Sequence, residues 1–395
     1  MKRKLGEYLS SKLIRVTTSG KIIREIDGLR FLAILPVIIQ HISERLFRYS
    51  YASHSGFQGD YHKFINTDMS AYWISRGTVG VFVFFAISGF VLSFPFAKHY
   101  LNDQPSVNIK KYFWRRVTRL EPPYVVVMTL LALVLIIKGD YTLSQMSPHY
   151  LASILYQHNL IYHDYSIINP VAWSLEIEIQ FYILAPILAY LVFSIKDLWL
   201  RRGLLISYIF IFVTLQNVFD WNMGLMKMTI FGQLPHFLAG FLLADVFLNE
   251  WKNGIKKAYL WDIIGILALI LLMYTWTTEY WKNLVFAVSL FTVLFSVFKG
   301  KLLNAFFTNT WIMISGGMCY SIYLIHLPIV EFLSRIIKPV YLGSNYIANL
   351  TAHFLIIAPI IMIASIIFYS LIEKPCMDKD WPQKLIAFFK RKISA

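Results

Sequence analysis

Residues 24–47 read REIDGLRFLAILPVIIQHISERLF, an apolar stretch interrupted by Arg30, Pro36, Gln40 and His41. At roughly 100° per residue, the step from Arg30 to His41 makes three turns plus about 20°, so the two side chains share one helix face. The rise between them is about 16 Å, at about 1.5 Å per residue. With Arg30 at the cytoplasmic interface, His41 lies about halfway through a hydrocarbon core of roughly 30 Å. Asp27 falls near the same stripe, where it can cap the helix or pair with Arg30. Pro36 frees a backbone carbonyl between them. A histidine at that depth is costly without partners and reads as functional by default. The plainer alternative is a histidine hydrogen-bonded to another helix as packing. The aligned arginine, the depth and the proline favour function.

The rest of the chain has the same solvent in view. Of 395 residues, 57% are hydrophobic, 17% aromatic and only 15% charged, against about 25% charged in ordinary soluble domains. The mean hydropathy is +0.56. A chain this apolar cannot cover itself with polar surface, which excludes a soluble enzyme, a disordered protein and a fibrous one. The net charge of +15 falls in short clusters between apolar runs, so it points to membrane orientation and not to nucleic acid. Cys319 and Cys376 lie far apart in unlike contexts, with no disulfide framework and no metal-ligand spacing. The opening MKRKLGEYLSSKLIRVTTSGK has no apolar core of signal-peptide length and is expected to stay on the chain, against an anionic membrane surface.

Runs long enough to cross a bilayer, or nearly so, occur at about 29–47, 77–97, 122–138, 173–195, 203–219, 228–248, 259–276, 281–298, 311–334 and 347–372. The expectation is an all-α polytopic membrane bundle of about ten helices. An eleventh candidate, 149–163, is short and broken by Gln157, His158 and Asn159. Charge decides whether it crosses. The basic N-terminus and the loop 98–121 should be cytoplasmic. Only if 149–163 is re-entrant or interfacial do Lys196, Arg201, Arg202, Lys252, Lys256, Lys257 and the basic tail also lie inside. Both termini then face the cytoplasm and loop 48–76 faces out, while Arg335 and Lys338 in 335–346 are the exceptions. The expected organisation is a basic cytoplasmic arm 1–23, an integral membrane domain 24–374 and a basic cytoplasmic tail 375–395, with no room for a second folded domain and no clear internal repeat.

Two further stretches carry chemistry. In KKYFWRRVTRLEPPYVVV, Arg115, Arg116 and Arg119 lead into the third span. Arg116 and Arg119 share a helix face, a forked cationic site suited to phosphates. An ordinary topology anchor is the alternative, weakened by the choice of Arg over Lys at all three places and by Pro122–Pro123, which fixes how the helix enters the membrane. In INPVAWSLEIEIQFYILAPIL, Glu176 and Glu178 sit about 200° apart and cannot face the same way. Glu176 is expected in water at the outer interface and Glu178 in a polar cavity. Other intramembrane polar groups are Gln233 and His236 (FGQLPHFLAG) and Ser321, Tyr323 and His326 (CYSIYLIHLPI). Ser88–Gly89 and Gly316–Gly317 read as close helix contacts, not nucleophiles.

Taken in order, these motifs resemble the acyltransferase-3 family of integral membrane O-acyltransferases. The resemblance runs over nearly the whole chain: IDGLR with His41 after ten intervening residues, FFAISGF, the RxxR pair Arg116 and Arg119, WSLEIEIQFYILAP, PHFLAG, YSIYLIHLP and LIEKP at Leu371 to Pro375. It implies transfer of an acyl group, acetyl first among candidates, from cytoplasmic acyl-CoA to a hydroxyl of a cell-surface glycan, lipid-linked saccharide or similar acceptor, in a bacterial inner membrane. Acyl-CoA would be a donor substrate and no cofactor would be bound permanently. In the family, the Arg and His of the first span are regarded as essential and the RxxR pair lies on the donor side. Some members carry a fused extracytoplasmic SGNH-type domain. Its absence here leaves transfer to this chain alone or to a separate extracytoplasmic protein.

The resulting expectation gives His41 the general base, Arg30 the orienting or oxyanion-stabilising role, and Glu178 the orientation or charge balance of His41. Arg115, Arg116 and Arg119 hold the CoA phosphates. An acyl-histidine intermediate stays open beside direct transfer. A secondary transporter with a midplane His/Glu/Arg site is the main rival class. A non-catalytic receptor leaves the His–Arg pair unexplained.

Overall fold

The computed structural model describes residues 13–15, 22–252, 254–378 and 380–384, and their regular structure is helical throughout. Most of the arm 1–23 and of the tail 375–395 lies outside the described residues. Ten principal helices follow in chain order: α1 (Arg24–Leu46), α2 (Val79–Asn102), α3 (Ile109–Ile137), α4 (Trp173–Phe193), α5 (Leu198–Val218), α6 (Leu234–Asn249), α7 (Tyr259–Tyr274), α8 (Tyr280–Lys299), α9 (Cys319–Ile336) and α10 (Tyr346–Phe368). Eight, taken with their flanking turns, are long and apolar enough to cross a membrane, and α6 and α7 are shorter apolar helices. The protein is a multi-pass membrane bundle, as its ten apolar runs predict.

The outer faces confirm what solvent the bundle meets. Ile263 and Ile266 on α7, and Ile363 and Ile367 on α10, are each more than half exposed. In water such a rim would be a standing liability, whereas in hydrocarbon it costs nothing. Polar groups are turned inward instead. Helix α2 is the hub, packed on α6, α1 and α4. Its contact with α6 depends on two glycines: a Cβ at Gly89 would lie 2.0 Å from the Phe237 carbonyl oxygen, and one at Gly240 2.0 Å from that of Ala86. Backbones this close are held by dispersion and leave no room for a side chain. Gly316 closes in the same way on the Asp27 carbonyl, so Gly89 and Gly316, both singled out in the sequence, mark helix contacts.

Three boundaries differ from the apolar runs. Helix α3 starts at Ile109, well before Pro122–Pro123, because Asn108 Oδ1 caps it by accepting from Lys111 N at 2.9 Å. The prolines therefore lie inside a continuous helix and do not mark its entry. The run 228–248 opens as turns and becomes helical only at Leu234. The run 311–334 is split at Met318 into Thr310–Gly317 and α9.

Segment 149–163 does not cross. Helix Leu143–Ile154 folds back along α3, with Tyr124 Oη donating to Ser153 O at 2.9 Å and Thr129 and Tyr150 hydroxyls 2.7 Å apart. The chain returns through the short helix His158–Tyr162 to α4, the re-entrant course that the charge pattern demands.

Candidate active site

His41 sits in the last third of α1 with a carboxylate on one side and a second imidazole on the other. One turn further on, Glu44 Oε2 is 3.4 Å from His41 Nδ1. Glu44 is itself held: Gln40 Nε2 donates to it at 3.0 Å and Arg45 Nη1 at 3.1 Å. Gln40 is fixed in turn by the Thr78 hydroxyl at 2.7 Å. Arg45 Nε donates to Glu331 of α9 at 2.5 Å, and Glu331 also accepts from Tyr49 and Arg335. Arg335, an exception to the charge pattern, is thus paired.

Across the site, the His326 ring lies 5.4 Å from that of His41, centroid to centroid. His326 Nδ1 is 2.8 Å from Tyr323 O and 3.1 Å from Ile322 O. Carbonyl oxygens only accept, so Nδ1 carries the proton and Nε2 the lone pair. That Nε2 is buried and has no partner among the described residues. By the same logic, Glu44 selects the His41 tautomer with the proton on Nδ1. This leaves His41 Nε2 as the proton acceptor, the arrangement general-base chemistry needs.

At the other end of α1, Arg30 Nη1 donates to Asp27 Oδ1 at 2.5 Å. Arg15 Nη2 reaches the same oxygen at 3.3 Å. Asp27 therefore pairs and does not cap. It is buried, and it joins two guanidiniums that would otherwise repel each other.

The α3 arginines are held differently. Among the described residues none of Arg115, Arg116 and Arg119 forms an ion pair. The Arg116 guanidinium lies 4.1 Å from the Tyr112 ring centroid and 5.3 Å from that of Tyr182, a cation–π seat. The buried Nε atoms of Arg116 and Arg119 have no hydrogen-bond partner among the described residues. A hollow of about 120 Å³ opens beside Arg116, bounded by Phe113, Leu120, Glu121, Ile179 and Tyr182. Arg119 and Arg30 both act through space on Glu373, whose Oε2 accepts from Ser321 N at 3.1 Å and Ser321 Oγ at 2.5 Å.

The two glutamates of α4 part company. Glu178 Oε1 accepts from Ser88 Oγ at 2.6 Å and Tyr182 Oη at 2.7 Å. It acts through space on Arg30, and the carboxylate against His41 is Glu44. Glu176, expected in water, is fully buried. It accepts from Asn159 N at 2.9 Å and fastens the re-entrant segment to α4, because a backbone N–H at that depth needs an acceptor.

The structure therefore brings Arg30, Arg116, Arg119 and Glu178 into one polar region and sets His41 further along α1. Glu44, His326 and Arg15 join them without having been singled out as site residues. Glu44 had a signal, the spacing of three from His41. His326 had only its polarity in an apolar run, and Arg15 none beyond its charge.

The bundle thus sets a half-buried, carboxylate-held histidine on the same helix as an arginine, with further arginines close by. The chain belongs to the acyltransferase-3 family, whose model, described as an acyltransferase domain, matches residues 23–370. Among relatives, the O-acetyltransferase OatA of Staphylococcus aureus strain MRSA252 is 27% identical over 397 aligned residues, 93% of this chain and 59% of OatA. A putative O-acetyltransferase of S. aureus strain COL is 25% identical over 333 residues, 78% of this chain and 50% of that protein. The chain spans about three-fifths, or less, of the length of these curated relatives. No solved structure matches significantly.

Proposed function

We propose that this chain moves an acyl group, acetyl in the first instance, from cytoplasmic acyl-CoA to a hydroxyl of a cell-surface glycan or lipid-linked saccharide, in a bacterial plasma membrane with both termini cytoplasmic. The observation that carries this reading is the His41–Glu44 pair on the same helix as Arg30, with Arg116 and Arg119 unpaired among the described residues. The arginines hold CoA phosphates. His41 Nε2 removes the proton from the acceptor hydroxyl as its oxygen attacks the thioester carbonyl. Arg30, about 16 Å away along α1 and paired with Asp27, orients the acyl-CoA donor on its way to His41, with Glu178 balancing its charge. The C–S bond then breaks, and the departing CoA sulfur takes the proton from the His41 imidazolium. Glu44 keeps the imidazole oriented throughout. The O-acetyltransferase names of the relatives support an acetyl donor. A separate extracytoplasmic transferase, if one takes part, would accept the acyl group downstream of His41.

The test is transfer of label from radiolabelled acetyl-CoA to glycan in membrane vesicles. His41→Ala is expected to lose about 10²–10⁴-fold while the protein still inserts. His41→Gln keeps hydrogen bonding but not proton transfer and should be as inactive. Glu44→Gln should lower kcat several-fold with little change in KM. Near-normal transfer by His41→Gln would make His41 a packing group. A transporter would bind or move its cargo without consuming acetyl-CoA at all.

A further inference from the structure

A second cavity lies away from His41, across α2. It measures about 400 Å³ and is bounded by the ends of α5 and α7 and the beginnings of α6, α8 and α2. That volume falls in the usual range for small-ligand pockets. These helix ends are the ones next to loop 48–76, the side that the lysine and arginine distribution assigns to the outside. Helix α2 is the partition: Phe82 lines the cavity, while Thr78, one turn earlier, bonds Gln40 of α1. A ligand seated here does not touch His41.

The lining has one chemical character. Among the described residues no Asp or Glu contributes to it, and its one lysine or arginine is Lys227. No hydrogen bond or ion pair engages the Lys227 ammonium among the described residues. Burial lowers its pKa, and no carboxylate acts to restore it. Gln233 is 2% exposed. Its Nε2 donates to Lys227 O at 2.8 Å, and its Oε1, like Asn222 Oδ1, is buried with no partner among the described residues. Gln216, Asn283, Thr277 and Thr278 add further amides and hydroxyls, and Trp276 and Phe286 supply flat apolar walls. Orphaned buried acceptors cost free energy until a donor reaches them. The unpaired ammonium asks for an anion and the orphaned oxygens ask for hydroxyl donors. The aromatic walls suit the C–H face of a ring.

We propose that this cavity binds an anionic saccharide unit: Lys227 takes its carboxylate or phosphate, Gln233 and Asn222 accept from its hydroxyls, and Trp276 stacks on its ring. That the unit belongs to the same acceptor chain whose hydroxyl reacts at His41 rests on the acyl-transfer reading. The binding itself does not. A polymeric acceptor held at two places gains affinity by effective concentration without any new contact at the reacting unit.

The experiment is calorimetry on the full chain in lipid nanodiscs, with hexagalacturonate, glucose 1-phosphate and neutral maltohexaose as probes. At least one anionic probe should bind more tightly than maltohexaose, and which one does identifies the anion. Lys227→Gln should weaken that binding by at least about tenfold, the worth of a hydrogen bond to a charged group. Trp276→Ala should weaken it too, and it stands as the second variant should Lys227→Gln fold poorly. His41→Ala should bind normally. The inference is overturned if no probe binds, if maltohexaose binds as well as the anionic probes, if neither cavity variant matters, or if His41→Ala abolishes binding. Binding without any acetyl transfer would sink the acyl-transfer reading and keep the cavity, and transfer without binding would do the reverse.

Discussion

Arg201 and Arg202 stand near the start of α5, and Arg116 and Arg119 near the start of α3. In the sequence they are the same object, a close pair of guanidiniums at the edge of an apolar run. In the structure, Arg201 and Arg202 both reach Asp245 of α6, Arg202 Nε at 2.7 Å, and Arg202 Nη1 also reaches Glu250 at 2.5 Å. Arg201 Nη1 also donates to Ile195 O at 2.6 Å and Lys196 O at 3.2 Å. Arg116 meets the faces of Tyr112 and Tyr182, Arg119 the longer-range field of Glu373, and no carboxylate bonds either of them among the described residues. The first pair is neutralised by carboxylates and ties α5 to α6, with only Arg202 Nη2 left without a partner among the described residues. The second is left with donors to give away. What separates a brace from a ligand site is the partner across the helix interface, and that partner is far off in sequence.

Breaking the brace should have the largest effect. Asp245→Ala strands Arg201, which is 1% exposed, as an uncompensated buried charge. The expected cost is about 3–5 kcal/mol, read as a collapse in the yield of monodisperse protein and in its melting temperature in detergent. Arg116→Ala and Arg119→Ala should leave that melting temperature nearly unchanged and raise KM for acyl-CoA instead. A lost charge-assisted hydrogen bond of about 1.5–3 kcal/mol corresponds to roughly ten- to a hundredfold in binding, with a smaller change in kcat. Added salt should imitate the defect. An unchanged KM in both variants would return the α3 cluster to the status of a topology anchor. The smallest effect should come from Glu250→Ala, which removes the half-exposed partner of Arg202. Such pairs contribute about 0–1 kcal/mol, so a melting shift of several degrees there would mean the brace extends further than Asp245.

Much of this fold was legible because hydrophobic length is a local property. All ten runs became helices over most of their length, and charge bookkeeping alone kept 149–163 from crossing. The errors came where local rules met distant partners. The apolar run 122–138 marks only part of α3, which reaches back through Pro122–Pro123 to the cap at Asn108. Glu176 and Glu178 lie two positions apart, and nothing in their spacing says that one would anchor a backbone N–H while the other joined Ser88 and Tyr182. Glu44 was within reach of the same periodicity that aligned Arg30 with His41. His326 was not, since only the packing of α9 on α1 brings it there.

The hairpin fastened by Glu176 governs parity. Its helix Leu143–Ile154 is about 18 Å long at about 1.5 Å per residue, too short for a core of roughly 30 Å. The chain therefore comes back on the side it left, and the seven helices from α4 to α10 inherit their directions from that return. An insertion that let this segment run through would turn all seven upside down at once. The two sides of the membrane would then be exchanged for most of the bundle while α1 to α3 stayed as they were, so that His41 and His326, now side by side, would belong to helices with incompatible orientations.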